Sequence, residues 1–273
     1  MASLLNLNTK FQHIKIEPSA REPGEIVLYC DSAWQLDTAV EWKYHESLVT
    51  IPLACAPGAA RVLICGGGDG MALREALKFP ELVQATLVEI DEAMITTFRD
   101  DDRWAKYNRF SMRDPRARVL VQDALSFARD DKDLYDMVVL DFPSPAGHNS
   151  EKNYPNLYSR ESLEIFTKRL KPHGVLAMQV SMPYAYLASA ATFLLEQGYN
   201  VWNYDTYYNS RSADSFMVAS KYRLTMQRPM PPVRWADKAR CAAAFGRVTE
   251  ITRETVDYYR LFCHGEEVEH EYV

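Results

Sequence analysis

The sequence predicts an α/β fold with a mostly parallel sheet and helices on both faces. Three observations support this prediction. Short β-branched runs alternate with stretches of helical periodicity, a glycine-rich loop joins one such run to a helix, and acidic side chains follow several of the runs. With 273 residues and 47% hydrophobic content, the chain can bury one substantial core and a small accessory domain.

The first elements are predicted to be strands of a small antiparallel sheet. Residues 11–17 and 26–31 alternate apolar and polar side chains between Pro and Gly residues. We therefore expect an N-terminal β lobe over residues 1–40. Helical spacing over residues 41–54 predicts a helix that connects this lobe to the main domain.

The main domain is predicted to cover residues 41–222. Its strands are expected at residues 62–65, 85–90, 117–121, 136–140, 174–179, 201–207 and 215–220, with helices at 71–79, 92–99, 124–129, 159–170 and 184–197. The short connection between the last two strands predicts an antiparallel hairpin at one edge of the sheet. Residues 223–273 form a C-terminal extension, with a helix expected from about Asp237.

A glycine run from Gly66 to Gly68 follows the first strand of the main domain and precedes a predicted helix. Glycines permit positive φ and let backbone amides approach a ligand closely. The second strand ends in Glu89, roughly 20 residues further on, where doubly wound sheets place an acid against ribose hydroxyls. Loop and acid together predict a bound nucleoside.

Asp69, directly after the glycine run, narrows the identity of this nucleoside. A carboxylate in the loop would repel a pyrophosphate, which makes NAD and ATP poor ligands. A cationic nucleoside fits better, and S-adenosylmethionine and its decarboxylated form carry both a sulfonium and an amine. The net charge of −6 suits a cationic small-molecule substrate and argues against nucleic acid as a partner.

Membrane attachment and metal binding are not indicated by the sequence. No apolar run approaches the roughly 18 residues of a membrane span, and the N-terminus lacks the basic and apolar regions of a signal peptide. We therefore expect a cytoplasmic protein with no membrane partner. The 5 cysteines and 6 histidines show no spacing typical of a disulfide framework or a zinc site, so we expect no metal.

Polar side chains end four predicted strands of the main domain. They are Glu89, Asp123, Asp141 and Gln179. The carboxyl ends of parallel strands meet at one edge of the sheet, which is where such sheets bind ligands. Each acid alone could be a helix cap, but four polar residues in register favour a site.

Several motifs of the chain together resemble those of one known family. They are the glycine loop with its helix, Gly66-Gly-Gly-Asp-Gly-Met-Ala-Leu-Arg-Glu-Ala-Leu, then Val88-Glu-Ile-Asp, Asp123-Ala-Leu and Asp141-Phe-Pro-Ser-Pro, with Phe11-Gln12, Trp34-Gln35 and Tyr44-His45-Glu46 ahead of them. This set resembles the spermidine synthase (polyamine aminopropyltransferase) family over about residues 9–220. The resemblance implies the Rossmann-like sheet of the class I S-adenosylmethionine-dependent transferases, and decarboxylated or intact S-adenosylmethionine as co-substrate.

The resemblance also implies how the donor is bound. Asp69 and Gln35 would hold its amino end, Glu89 its ribose hydroxyls and Asp123 its adenine amine. The full set of implied donor-site residues is Gln12, Gln35, Gly66, Gly68, Asp69, Glu89 and Asp123.

Asp141 corresponds to the family's catalytic acidic residue, so the resemblance implies that it is the general base, and Tyr44 corresponds to a residue of the amine pocket. Attack of an amine on the carbon next to a sulfonium expels a neutral thioether, so the reaction needs a free amine lone pair rather than a general acid. The ordinary pKa of a primary ammonium is near 10.4, and a carboxylate that accepts its proton contributes on the order of 100- to 10,000-fold. Tyr44 and Tyr158 would form aromatic walls around the amine. The predicted substrate site comprises Tyr44, His45, Ser144, Tyr158 and Gln179.

Two departures from the family pattern concern the acceptor. Ser144 stands where the family usually has a second Asp, and residues 204–216 differ from the Gly-rich segment of relatives. We therefore expect an altered acceptor pocket. N-methyl transfer or aminocarboxypropyl transfer from S-adenosylmethionine, and non-catalytic binding of an adenosyl ligand, stay open as alternatives. A homodimer is implied by the resemblance alone.

Overall fold

Two sheets organise the chain in the computed structural model, which describes residues 3–143, 157–180, 184–209, 212–247 and 249–256. One is a four-stranded antiparallel sheet at the N-terminus, and the other is an eight-stranded mixed sheet with helices on both faces. The predicted α/β fold with a small N-terminal β lobe is confirmed. Within the described ranges, no helix combines the length and apolar character that crossing a membrane requires.

The N-terminal sheet has the order β1-β2-β3-β4. Its strands are β1 (Leu5–Asn8), β2 (His13–Pro18), β3 (Ile26–Cys30) and β4 (Ala33–Asp37). The sequence predicted β2 and β3 but not their outer neighbours. β1 alternates leucine and asparagine over only four residues, and three of the four are exposed. The turn into β4 uses Asp31 and Ser32 at positive φ (49° and 67°), without the glycine that usually marks such a hairpin.

The connection to the main domain is helical, as predicted, but it is not a uniform α-helix. It consists of α1 (Trp42–His45), a π-helical turn (Glu46–Thr50) and α2 (Ile51–Cys55). Every residue of the π-helical turn is buried, including the carboxylate of Glu46. The wider turn directly follows Tyr44 and His45, two residues that the sequence assigned to the substrate site.

The main sheet has the order β12-β10-β11-β9-β8-β5-β6-β7. Its strands are β5 (Arg61–Gly66), β6 (Gln84–Glu89), β7 (Ala117–Val121), β8 (Tyr135–Asp141), β9 (Leu170–Gln179), β10 (Asn200–Asn209), β11 (Ser212–Ser220) and β12 (Glu250–Ile251). The five strands from β9 to β7 are parallel, and β10 and β11 form the predicted antiparallel hairpin. Gly66 pairs with Asp141, so the glycine loop and the predicted base leave the sheet side by side.

The remaining helices alternate with these strands. They are α3 (Met71–Leu77), α4 (Glu92–Asp100), α5 (Asp102–Ala105), α6 (Ala124–Asp130), α7 (Arg160–Thr167), α8 (Tyr184–Glu196) and α9 (Lys238–Ala244), with a 3₁₀ turn at Ser111–Arg113. Alternate side chains of β5 enter two different cores: Val62 belongs to one and Leu63 to the other. The first core continues into the N-terminal sheet through Ile14 and Ile16. This arrangement gives the β lobe a fixed place against the main domain.

The C-terminal extension takes part in the main sheet. β12 pairs with β10 through Val201 and Ile251, so the predicted hairpin is next to the edge rather than at it. A two-residue strand carries too little pattern to be predicted from sequence. The domain boundaries at residues 40 and 222 stay predictions.

Glu46 attaches this extension to the connecting helix, and we expect Glu46→Ala to lower the free energy of unfolding by about 2–4 kcal/mol. Its carboxylate accepts backbone N–H bonds from Arg234 (2.8 Å), Trp235 (2.6 Å) and Ala236 (2.9 Å). The alanine variant leaves buried donors without an acceptor. Urea unfolding measures the loss. The matched control is Glu164→Ala, which removes an acid from an exposed ion pair and should have no measurable effect; equal stability of both variants would contradict the prediction.

Candidate functional site

The glycine loop packs directly against Asp141. Gly66 (φ 83°) and Gly67 (φ 67°) both have positive φ, as predicted for this loop. A Cβ atom on Gly66 would collide with the carbonyl oxygen of Asp141, and one on Gly67 would lie 2.7 Å from its Oδ2 atom. Glycine is required here by conformation and by the closeness of the acid. The loop therefore places any ligand that it binds next to the predicted base.

Gly68, the third glycine of the loop, packs against Glu89 at the end of the neighbouring strand β6. A Cβ atom on Gly68 would lie 2.7 Å from Cγ and 3.0 Å from Oε2 of Glu89. Glu89 accepts a hydrogen bond from the backbone N–H of Asp91 (2.9 Å). Burial raises the pKa of Glu89 to about 7, although backbone hydrogen bonds, among them one from Gly68, act to lower it. The carboxylate is thus held beside the loop, where the ribose diol was predicted to bind.

We expect Gly68→Ala to weaken donor binding by about tenfold or more, because the new methyl group displaces Glu89 from its place beside the loop. Calorimetric titration with the adenosyl donor measures the change. Gly246→Ala is the matched control, since a Cβ atom there meets nothing closer than 3.4 Å. Equal donor affinity of the Gly68 variant and the control would show that Glu89 does not contact the donor.

A chain of buried charges leads to Asp69. Arg74 donates two hydrogen bonds to the carboxylate of Glu41 (2.8 and 2.9 Å), and Glu41 bonds Nδ1 of His45 (2.6 Å). The other ring nitrogen of His45 lies 3.9 Å from Asp69 Oδ1. Burial alone would lower the pKa of His45, but the hydrogen bond and charge of Glu41 raise it to about 9. His45 is therefore an imidazolium at neutral pH, and it faces the carboxylate of Asp69 next to the glycine loop.

Asp141 forms a short hydrogen bond with Tyr44. The phenol donates to Oδ1 of the carboxylate at 2.6 Å. Burial is the largest cause that raises the pKa of Asp141, to about 6; the negative charges of Asp69 and Asp214 act in the same direction, whereas the His45 cation and the Tyr44 hydrogen bond oppose it. A carboxylate with this pKa is ionised at neutral pH and is a stronger base than an ordinary aspartate.

Two further predicted residues hold the chain just after Asp141. The Tyr158 phenol (3.1 Å) and the Gln179 amide (3.0 Å) both donate to the carbonyl oxygen of Phe142. The rings of Phe142 and Tyr158 also meet edge to face, with centroids 6.1 Å apart. Tyr158 and Gln179 thus fix the backbone that follows the predicted base.

Gln12 lies where the N-terminal sheet meets the end of strand β6. Its amide donates to Asp91 Oδ2 at 3.0 Å, and the hydroxyl of Thr9 donates to the same oxygen at 2.8 Å. Asp91 follows Glu89 by two residues and caps α4 through the backbone N–H of Ala93. Gln12 therefore anchors the β lobe beside the predicted ribose site.

Other predicted site residues have different surroundings. The side chain of Gln35 donates to the carbonyl oxygen of Ala33 (3.4 Å) on its own strand, and no hydrogen bond joins it to Asp69. Asp123 caps α6 by accepting from the backbone N–H of Ser126 (2.8 Å), which leaves a carboxylate oxygen for a ligand. Ser144 lies outside the described residues. The roles assigned to these three residues stay predictions.

The sequence did not identify Glu41 as the partner of His45 or Phe216 as the ring that packs against Tyr44. Glu41 lies four residues before His45, a spacing that brings side chains together on a helix and could have signalled the pair. Phe216 packs its ring against Tyr44 with centroids 5.2 Å apart. Its place on an alternating strand gave a weaker signal, because the pattern does not say which face meets the site.

Negative charge dominates the site. Asp69, Glu89, Asp141 and Asp214 all lie at the carboxyl end of the main sheet or on the adjacent hairpin. Across the described ranges, no group of three or more His, Cys, Asp or Glu side chains is arranged to hold a metal ion. Separated carboxylates of this kind suit an organic cation, and Asp141 can accept a proton from it.

Comparison with known proteins identifies the family. The model of the spermine/spermidine synthase domain matches residues 41–208. A polyamine aminopropyltransferase of Ralstonia nicotianae is 31% identical over 248 residues, which cover 88% of this chain and 48% of the relative. One of Streptomyces coelicolor is 33% identical over 246 residues, covering 86% and 45%. The chain thus spans about half the length of these curated relatives.

Solved structures share the fold. A spermidine synthase crystallised with the transition-state analogue AdoDATO superposes with a TM-score of 0.78 at 21% identity, covering 95% of this chain and 88% of its own. Spermidine synthase from Thermotoga maritima gives a TM-score of 0.74 at 21% identity, covering 94% and 86%. These similarities confirm the predicted Rossmann-like architecture. With its matched domain and these relatives, the chain belongs to the spermine/spermidine synthase family.

Proposed function

We propose that the protein transfers an aminopropyl group from decarboxylated S-adenosylmethionine to an amine acceptor, with Asp141 as general base. The contact that carries this proposal is the Tyr44–Asp141 hydrogen bond of 2.6 Å, which lies against the glycine loop. It presents a partly buried carboxylate, with a pKa raised to about 6, at the point where the loop would hold the donor. The curated relatives named above are polyamine aminopropyltransferases, which agrees with this chemistry.

The proposed step needs one base and no acid. The lone pair of the acceptor amine forms a C–N bond to the aminopropyl carbon next to the sulfonium, and the C–S bond breaks with its electron pair on sulfur. The leaving group is methylthioadenosine, a neutral thioether. The proton of the acceptor nitrogen passes to a carboxylate oxygen of Asp141, and Tyr44 holds that carboxylate in place.

The charges beside the glycine loop favour the decarboxylated donor. In the proposed pose the donor amine faces Asp69, and the ribose hydroxyls donate to Glu89. An intact donor would bring its own carboxylate towards Asp69 and Asp141, and like charges at close range in a buried site repel strongly. Loss of that carboxylate removes the repulsion and keeps the cationic amine.

A side-by-side titration tests the proposal. The protein is titrated calorimetrically with decarboxylated and with intact S-adenosylmethionine, and turnover mixtures are analysed for methylthioadenosine and S-adenosylhomocysteine. We expect tighter binding of the decarboxylated donor and release of methylthioadenosine. Preference for the intact donor with release of S-adenosylhomocysteine would establish methyl transfer, and a binder without activity would release neither product.

We also propose that two copies of the chain associate through the N-terminal sheet. Leu4, Leu7 and Trp34 of this region are exposed, although they are large apolar side chains. Covering them with a second copy would remove apolar surface from water. Sedimentation velocity measures whether the particle has twice the chain mass of 31.3 kDa. A particle of the monomer mass would contradict the dimer.

A further inference from the structure

Strand β11 carries a carboxylate towards Tyr44. Successive side chains of a strand point to opposite faces, so Asp214 and Phe216 share one face of β11. Phe216 packs its ring edge to face against Tyr44, with centroids 5.2 Å apart. This contact shows which face of β11 meets the amine site. Asp214 lies on the same face, two residues before Phe216.

The hairpin partner of Asp214 reaches the same helical segment. Thr206 of β10 pairs directly with Asp214, and directly paired residues of antiparallel strands share a face. The Thr206 hydroxyl lies 2.5 Å from that of Ser47, in the π-helical turn that begins two residues after Tyr44. Both Phe216 and Thr206 thus place the Asp214 side of the hairpin against the segment that carries Tyr44.

Electrostatics agrees with this placement. The negative charge of Asp214 contributes to raising the pKa of Asp141 and of Tyr44, so it acts on the proposed amine site itself. Asp205 of β10 offers a contrast. It pairs with Ser215, whose side chain points to the opposite face, and it is exposed. The hairpin therefore has one acid directed to the site and one directed away from it.

We propose that Asp214 is a specificity-determining residue that binds a second cationic nitrogen of the acceptor, so that the protein selects a diamine over a monoamine. This inference rests on the proposed function. Asp141 takes the nitrogen that attacks the donor, and the Tyr44 ring separates Asp141 from the hairpin. The methylene chain of a diamine would lie along that ring, with its far ammonium at Asp214. Ser144 stands where the resemblance expects a second acid, and Asp214 supplies a carboxylate from strand β11.

Paired substrates test the role of Asp214. The variant Asp214→Asn is compared with wild type for 1,4-diaminobutane and 1-aminobutane, by initial rates and by calorimetric binding in the presence of methylthioadenosine. We expect the variant to lose about ten- to a hundredfold in affinity for the diamine and little for the monoamine, because only the diamine has the second charge. Asp205→Asn, with the same charge change on the opposite face, should leave both affinities unchanged.

The outcomes separate this inference from the proposed function. An equal loss for both amines, or a wild type that does not prefer the diamine, would overturn the role of Asp214. A diamine preference that disappears only in Asp214→Asn would support it, even if no methylthioadenosine were released from the decarboxylated donor. Failure to release methylthioadenosine from the decarboxylated donor would overturn aminopropyl transfer, not the role of Asp214. Donor titration of each variant verifies that the fold and the donor site are intact.

Discussion

Replacing Asp141 with Asn is expected to slow transfer by about 100- to 10,000-fold while donor affinity stays within about threefold of wild type. The amide keeps the size of the carboxylate and can still accept the Tyr44 hydrogen bond. It cannot take a proton from the acceptor nitrogen. Because burial raises the pKa of Asp141 to about 6, ionised Asp141 is costly to the fold, and the neutral amide should not destabilise it.

Single-turnover measurement of methylthioadenosine formation in quenched samples is the readout for this variant, since it isolates the chemical step from product release. Asp133→Asn provides a matched control. It removes a carboxylate from a half-exposed ion pair with Arg61, just before strand β8, the strand that ends in Asp141. Undiminished formation of methylthioadenosine by Asp141→Asn would remove Asp141 from the mechanism. A loss of donor binding in the same proportion would instead give Asp141 a binding role.

The parallel core of the fold was predictable because two sequence periods alternate in it. Strand β7 was predicted with its observed bounds, and β5 and β6 within one residue at each end. The glycine loop was predicted as well. Close approach of a ligand, however, is not the whole reason why glycine is required there. Gly67 and Gly68 have no room for a Cβ atom because the acids Asp141 and Glu89 already occupy that space. Loop and acids are therefore one packed unit.

The parts that escaped prediction are those that tertiary contacts determine. β12 has two residues and exists because β10 offers an open edge. The π-helical turn has no sequence signature of its own, yet it buries Glu46 where the C-terminal extension presents its backbone N–H groups. In the Arg74–Glu41–His45 chain, Glu41 and His45 are four residues apart, but Arg74 comes from another helix 33 residues after Glu41. Periodicity reports which face is buried, not which residues meet there.

The acid limb of the pH profile is expected to be steep. Protonation of Asp141, with a pKa near 6, removes the base, and protonation of Glu89, with a pKa near 7, weakens its attraction for the ribose hydroxyls. Both groups are carboxylates that lose their charge as the pH falls, and because both pKa values are raised, this loss begins at a higher pH than for ordinary acids. We expect kcat/KM to decline about tenfold per pH unit for each group once the pH lies below its pKa.

Tyr44→Phe distinguishes the Asp141 part of this limb. The Tyr44 hydrogen bond lowers the pKa of Asp141, so its removal should move that part of the limb to higher pH and leave the Glu89 part in place. The His45 cation, which also lowers the pKa of Asp141, stays, as do the raising charges of Asp69 and Asp214.

Tyr222→Phe changes an exposed phenol and serves as the control, with an unchanged profile. kcat/KM measured from pH about 5 to 9 with saturating donor isolates the Asp141 limb, because saturation compensates for weaker donor binding. An acid limb that stays at the same pH in Tyr44→Phe would mean that a group other than Asp141 takes the proton. A shift to higher pH would tie the proton acceptor to the carboxylate that Tyr44 holds, which a change in rate alone cannot do.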